Sequence, residues 1–458
     1  MLALILTELS CKITKPYQRP DLNAGIDLYR GQTSEDTATI ASMPWENLFS
    51  DTTLKALIRE GLYNNLNLKT AVQKIAEAQA ALGQSRAAFF PSLNGNASVT
   101  RSKQSVASLD FPPGFSINTV TTSYQMALST SWEADVWGQL SSAKRAAYAN
   151  LLQTDAAKRA VQTQLIADIA NNYYNLLALD KQLEITSEAV QNRVKEVETM
   201  KALKEGAVVN GAAVVQSEAN RYAAEVAIPD IKRSIRETEN AIDILLGRTP
   251  GALNRSKLDD QKPITDLRTG LPVQLLKNRP DVQQAEFNFR AAFENTNLAH
   301  TYFYPAFTIT ASGGFSNLTL KDFFVNSVFY NIAAGLTQPI FNQGINKARL
   351  KTAQAQQNES LYNFQQTILT AGGEVSNALY AYQTVIEKDT VRAKQVAALA
   401  KSVDYTEQLL RYSSATNYND VLISEQALLA ARIDGINDRL QQLQAIVNLY
   451  RALGGGWR

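Results

Sequence analysis

The stretch from Ser141 to Lys204 contains neither proline nor glycine, and this feature constrains the fold of the chain most strongly. At 1.5 Å per residue such a helix would be roughly 95 Å long. Its apolar residues form a narrow stripe with steps of three and four, which is typical of a coiled coil. The stripe comprises Ile166, Ile169, Tyr173, Leu176, Leu183, Val190, Val194 and Val197. A second helix is predicted from Asn346 to Tyr412, where only Gly372 and Gly373 interrupt the pattern.

The chain also carries an internal duplication. Five segments recur later in the same order, four of them at an offset of 206 or 207 residues and the first at 214. The pairs are 89–91 with 303–305, Gly138 with Gly344, 168–174 with 374–380, 214–218 with 421–425, and 246–247 with 453–454. Repetition at a nearly fixed spacing indicates two copies of one structural unit.

Each copy is predicted to contain a helix, two strands, the long helix and a returning helix. In Ser123 to Asp135 larger side chains alternate with small polar ones, which gives the two-residue period of a strand. The same alternation recurs from Val328 to Leu336. The first helices are expected over 54–89 and 281–304, the partner strands over 93–101 and 307–315, and the returning helices over 212–246 and 420–453.

Composition excludes several classes of function. The 45 Lys and Arg residues balance the 43 Asp and Glu residues to a net charge of +2, which argues against a nucleic-acid partner. One cysteine and one histidine cannot form a His/Cys zinc cluster, and no phosphate-binding loop or Ser/His/Asp set is present. We therefore expect no enzyme activity, no metal and no cofactor. No apolar run reaches the roughly 18 residues of a membrane-spanning helix, so a bilayer crossing would require a closed β-barrel.

The amino terminus suggests a lipid anchor. Leu2 to Leu6 are apolar, and the small residue Ser10 precedes Cys11, as signal peptidase cleavage requires. This start is short and lacks a basic residue before Cys11, so an inert thiol is the alternative. The proline-bracketed segment Lys15 to Pro20 is expected to form an extended strap.

Five segments spread along nearly the whole chain resemble the TolC-like outer-membrane efflux proteins, and more closely the lipoprotein branch that serves RND-type tripartite pumps. They are Cys11 with Pro16 to Pro20, Trp132 to Gly138, Leu275 to Val282, Gln338 to Gly344, and Leu449 to Trp457. The resemblance implies a mainly α fold with a β-barrel part. It implies a homotrimer that forms a twelve-stranded barrel in outer-membrane lipid and continues as an α-helical periplasmic tunnel. Its implied partners are a periplasmic adaptor and an inner-membrane RND transporter.

The resemblance also implies a periplasmic gate at the helical turns, with Asp420, Tyr412 and Asn417 as its residues. In the first copy the matching position is Ala213, so this gate is less charged than in more distant relatives. The alternative role of Asp420 is to stabilise the start of the returning helix. Phe90, Tyr304 and Trp132 flank the strands and are expected to form an aromatic girdle at the barrel edge, with core packing as the alternative.

The leading functional prediction is an outer-membrane exit duct of a tripartite efflux system that exports drugs or other small toxic compounds. A duct for type I protein secretion is the alternative, and a soluble coiled-coil scaffold is a weaker one. We expect residues 1–53 to form the lipid anchor and strap and residues 253–278 to form a linker. The two repeats are expected over 54–252, with a hairpin near 92–135, and over 279–458, with a hairpin near 307–340.

Overall fold

The structure is a computed structural model that describes residues 13–21, 28, 38–108, 118–264, 268–270, 274–412 and 418–458. The candidate lipidation site Cys11 and the candidate gate residue Asn417 lie outside the described residues. The described part is mainly helical and contains one four-stranded sheet.

Four long helices dominate the chain, as the sequence predicts. They are α4 (Gln139–Glu205), α5 (Gly211–Leu246), α8 (Ile345–Tyr412) and α9 (Tyr418–Ala452). Helix α8 continues without a break through Gly372 and Gly373. A Cβ atom on Gly372 would lie 3.0 Å from the Cβ of Leu28, so glycine permits a close approach of the chain at this point.

Shorter helices precede the strands of each copy. They are α1 (Trp45–Leu48), α2 (Thr52–Asn64), α3 (Leu66–Ala87), α6 (Leu275–Asn278) and α7 (Pro280–Thr301). The single helix expected over 54–89 is wrong, because Asn65 separates α2 from α3. Its side-chain oxygen accepts from the Leu68 amide at 2.9 Å, and its Nδ2 donates to the Leu245 carbonyl at 2.8 Å. A side chain that caps a new helix in this way competes with helix continuation.

The sheet is an antiparallel meander in the order β1-β2-β3-β4. Its strands are β1 (Ser92–Lys103), β2 (Val120–Ala134), β3 (Ala306–Asn317) and β4 (Val328–Thr337). The register pairs Leu128 of β2 with Gly95 of β1 and with Gly313 of β3. Gly313 in turn pairs with Tyr330 of β4, so one row of side chains crosses all four strands.

The duplication is visible in the backbone as well as in the sequence. Gly138 and Gly344 precede α4 and α8, and both adopt the left-handed conformation, with φ of +79° and +82°. Glycine adopts positive φ without the steric cost that other residues incur. The equivalent residues of the two repeats therefore make the same turn into a long helix.

The contacts divide the chain into two compact units. One unit contains the sheet and comprises the described residues of Met1–Pro20, Ile75–Thr154 and Ala285–Phe364. The other comprises Asp21–Lys74, Asp155–Gln284 and Gln365–Arg458, where described. The second unit has a fully buried core that includes Tyr173, Ile169, Leu176, Leu246 and Leu449.

Candidate functional site

The pairing register of the sheet gathers large apolar side chains on one face. Met126 pairs with Phe315, Trp132 with Ile309, and Tyr330 lies two residues before Ile332 on the same face of β4. Tyr330 and Ile332 are 83% and 73% exposed. An exposed apolar face of this extent on a single chain marks a surface that meets lipid or another protein.

The opposite face is mostly small and polar, although Phe329 of β4 also lies on it. Asn94, Asn96 and Ser98 alternate with the apolar residues of β1, and β4 places Asn331 and Gly335 on the same side. Such alternation between an apolar and a polar face is found in strands that separate lipid from water.

The predicted edge aromatics lie together at one end of the sheet. Phe90 is 73% exposed, and it precedes β1 by two residues, as Tyr304 precedes β3. The Trp132 indole donates to the Phe89 carbonyl at 2.9 Å. The Trp137 indole donates to the Pro305 carbonyl at 2.7 Å, and its ring lies 5.2 Å from that of Tyr304. These hydrogen bonds hold the amphipathic rings of Trp132 and Trp137 at this end of the sheet.

Two of the predicted gate residues, Asp420 and Tyr412, lie at the ends of the long helices. Asp420 is the third residue of α9 and lies in its first turn, where the helix dipole favours a carboxylate. Tyr412 is the last residue of α8 and is 85% exposed. The structure thus places Asp420 inside the helix, and its predicted role in a gate remains a prediction.

In the first hairpin the equivalent turn is fixed by an asparagine that the sequence prediction missed. The side chain of Asn210 accepts from the Ala213 amide at 3.1 Å and caps α5. Ala213 itself offers no polar side chain at this place. The duplication could have identified Asn210 as a residue of this turn, because Asn210 and Asn417 are related by the offset of 207 residues.

Beyond these turns, a cavity of about 950 Å³ lies between α4, α8 and α9. Apolar walls that include Met200 and Leu428 enclose an acidic cluster in it. The Tyr418 hydroxyl donates to Glu196 Oε2 at 3.3 Å. Glu425 lines the same cavity beside Glu196, close enough for their carboxyl groups to share a hydrogen bond when one of them is protonated. Burial and the neighbouring carboxylates Glu196 and Glu407 raise the pKa of Glu425 to about 8.

Among the described residues, no group of three or more His, Cys, Asp or Glu side chains could hold a metal ion. None of the helices in the described ranges combines the length and the apolar character that crossing a membrane requires.

With the exposed sheet face and the paired hairpins established, comparison with known proteins defines the class. The model of the outer membrane efflux protein family matches residues 57–248 and 271–455. The chain belongs to this family.

Its relatives act in efflux. The cation efflux system protein CusC of Escherichia coli O6:H1 is 29% identical, and the match covers 100% of this chain and 97% of CusC. The solvent efflux pump outer membrane protein SrpC of Pseudomonas putida is also 29% identical, with 98% of this chain and 96% of SrpC covered. The function is therefore that of an outer-membrane exit duct for efflux.

Solved structures support the same fold. The outer-membrane channel OprN superposes with a TM-score of 0.89 at 23% identity, over 98% of this chain and 100% of OprN. A crystal structure of CusC gives a TM-score of 0.86 at 27% identity, over 97% of this chain and 100% of CusC. The fold class that the resemblance implied is confirmed.

Proposed function

We propose that three copies of this chain assemble into the exit duct of a tripartite efflux pump, which carries out transport and no catalysis. The observation that carries the proposal is a pair of exposed apolar stripes on two helices. On α5 the stripe contains Val215, Tyr222, Val226 and Ile244. On α8 it contains Leu369, Tyr380, Val391, Tyr405 and Leu409.

The spacing places each set on one side of its helix. At 100° per residue, the members of each set point within about 40° of one another around the helix axis. Monomeric proteins rarely leave rows of large apolar side chains in water, and a row at this spacing is the pattern by which helices pack together. A second copy of the chain is the partner that fits both stripes.

The sheet supports the same assembly. Among the described strands, β1 pairs only with β2 and β4 only with β3, so each outer strand has one free edge. Free edges invite pairing with another chain. Three copies would supply twelve strands, and the exposed apolar face would then meet the lipid of the outer membrane.

The strap after Cys11 supports a lipid anchor. The amide of Lys15 donates to Asn297 Oδ1 at 3.1 Å, and Asn297 Nδ2 donates back to the Lys15 carbonyl at 2.9 Å. The ring of Tyr17 packs edge-on against Phe289 at 5.9 Å. A Cβ atom on Gly138, four residues after the end of β2, would lie 3.3 Å from Thr14.

Thr14 follows Cys11 by three positions along the chain, a separation that can span at most about 11 Å. The strap is therefore attached close to the end of the sheet where the aromatic side chains lie. A lipid on Cys11 would reach the membrane surface there. The anchor, the repeat boundaries and the gate at Asp420, Tyr412 and Asn417 all form part of this proposal.

The proposed partners are a periplasmic adaptor and an inner-membrane RND transporter. CusC is named for cation efflux and SrpC for solvent efflux, so similar ducts serve different cargo. We infer that the transporter selects the cargo and that this duct passes drugs or other small toxic compounds. Export of a protein through this duct would contradict the inferred cargo.

The assembly is tested by replacing apolar residues of the α5 stripe with charged ones. Tyr222→Glu with Val226→Glu should abolish the trimer, measured by native mass spectrometry of the detergent-solubilised protein. Lys232→Glu serves as the control, because this exposed residue lies about 100° away from the stripe. A trimer that survives the double variant would contradict the proposed interface.

The cellular role is tested in a deletion strain. The strain should become sensitive to small toxic compounds, and the wild-type chain should restore resistance while the double variant should not. Unchanged resistance together with loss of a secreted protein would contradict the efflux assignment and support secretion.

A further inference from the structure

The two repeats differ in charge at one pair of equivalent positions. Gly138 and Gly344 set the offset between α4 and α8 at 206 residues, so Lys201 of α4 corresponds to Glu407 of α8. The returning helices carry the same acid, because Glu218 of α5 corresponds to Glu425 of α9. The duplication therefore allows two equivalent positions that carry opposite charges to be compared within one chain.

In the first repeat the acid has a cation. Lys201 Nζ lies 2.9 Å from Glu218 Oε1. The hydrogen bond and charge of Lys201 lower the pKa of the Glu218 carboxyl. This pair joins α4 to α5 as an ordinary ion pair.

In the second repeat the equivalent acid faces other acids. Glu425 meets Glu196 of α4 and Glu407 of α8 in the cavity between the helices. The guanidinium of Arg193 is within range of Glu425 but donates to the Asn220 carbonyl on α5 at 2.7 Å. The other ionisable groups that line the cavity are Glu188, Lys195, Asp404, Tyr418 and Arg432.

The cavity thus contains five carboxyl groups and three basic groups, and its walls are largely apolar. Two carboxylates in contact cannot both ionise without strong repulsion. A neutral carboxyl of Glu425, in contrast, donates a hydrogen bond to Glu196.

We propose that Glu196 and Glu425 form a proton-dependent contact that holds the start of α9 against α4. The two carboxyl groups share a hydrogen bond while the pair retains one proton. The contact is weakened when both groups are ionised. The proposal rests on the proposed function, because it makes the packing of the hairpin ends of an efflux duct respond to pH.

The sign follows from the raised pKa of Glu425. A carboxyl with a pKa above its ordinary value binds a proton more tightly in the packed state than in the loosened state. The packing is therefore fully stabilised below the ordinary value of 4.5, and this stabilisation is lost as the pH rises through about 8. Acidification tightens the hairpin ends and alkaline conditions loosen them.

The test measures hydrogen exchange of the amides in residues 418–428 of the full-length protein at about pH 6 and about pH 9, corrected for intrinsic exchange rates. In the wild type, protection should fall at least tenfold at the higher pH, since one unit of pKa corresponds to a factor of ten. Glu425→Gln should remain protected at both pH values, because a glutamine stays neutral and still donates to Glu196.

Two further variants separate the contact from general effects of charge. Glu407→Lys restores the charge pattern of the first repeat, so protection should persist at about pH 9. Glu198→Gln removes an exposed carboxylate of the same helix α4 and should behave as the wild type. If the wild type shows no pH dependence in residues 418–428, or if Glu425→Gln retains it, the proposal is wrong.

Trimer formation and channel conductance in a planar bilayer are recorded for every variant. A wild type that conducts but shows pH-independent protection contradicts only the proton-dependent contact. A wild type that forms no channel contradicts the proposed function, whatever the exchange data show.

Discussion

Arg279 connects α7 to α8 through Glu374: its Nη1 donates to Glu374 Oε2 at 2.7 Å. The same guanidinium binds the carboxylate of Asp281 at 2.9 and 2.5 Å and donates to the Ala452 carbonyl at 3.0 Å. The Arg279 side chain is only 5% exposed. One buried cation therefore joins the start of α7, the middle of α8 and the end of α9.

Removal of this cation should destabilise the protein strongly. Arg279→Met would remove the guanidinium from Asp281 and from the Ala452 carbonyl. Glu374 would keep its longer pair with Arg451 at 3.5 Å. Breaking a buried pair by removing one partner costs about 3–5 kcal/mol. The measurement is the denaturant midpoint of the detergent-solubilised protein at neutral pH.

Arg233→Met is the matched control for this substitution. Arg233 is 67% exposed and pairs with Asp230 at 3.4 Å, so its loss should cost about 1 kcal/mol or less. Equal effects of the two substitutions would contradict the role assigned to Arg279.

Low pH should destabilise the fold through Asp51. Its carboxylate caps α2 by accepting from the Thr53 amide at 2.8 Å, and it accepts from the Tyr173 hydroxyl at 2.8 Å. Burial opposes ionisation, but the hydrogen bonds from Ser256, Tyr173 and Gln261 outweigh it and lower the pKa of Asp51 below 3.8.

A lowered pKa means that the stabilisation is present above the ordinary value and is lost as the pH falls through the folded-state value. The denaturant midpoint should therefore decrease between about pH 5 and about pH 2.5. Asp51→Asn should show a smaller decrease than the wild type over this interval, because an amide does not titrate. An equal decrease in both proteins would exclude Asp51 as a contributor.

The elements with a clear period could be predicted from the sequence. The helical spacing of apolar residues predicted α4, and the two-residue period predicted β2 and β4. The long stretch interrupted only by Gly372 and Gly373 predicted α8. The duplication also predicted that Gly138 and Gly344 are equivalent. In the structure both glycines adopt a positive φ before a long helix.

Other features depend on side chains that meet only after folding. The break at Asn65 is fixed by a bond to Leu245, which lies 180 residues away. The pair formed by Glu196 and Glu425 depends on which helices become neighbours, and periodicity along one helix does not contain that information. The opposite charges of Lys201 and Glu407 were the available signal.

The two faces of β4 should respond differently to the same substitution. Ile332→Lys places a charge on the exposed apolar face, which costs about 2–4 kcal/mol near the middle of a bilayer. We expect less protein in the outer-membrane fraction. Asn331→Lys is the control, because the neighbouring residue lies on the polar face. Similar membrane levels of both variants would contradict the assignment of the apolar face to lipid.

The gate prediction for Asp420 can be tested in a planar bilayer. In a symmetric trimer three copies of this carboxylate would surround one axis, so Asp420→Ala should raise the single-channel conductance or reduce the preference for cations. Its position in the first turn of α9 also predicts a modest loss of helix stability, about 0.3–1 kcal/mol from the lost charge at the helix start. Asp389→Ala, at an exposed position of α8, should leave the conductance unchanged. If conductance and selectivity are unchanged in Asp420→Ala while the stability falls, Asp420 stabilises the helix and takes no part in a gate.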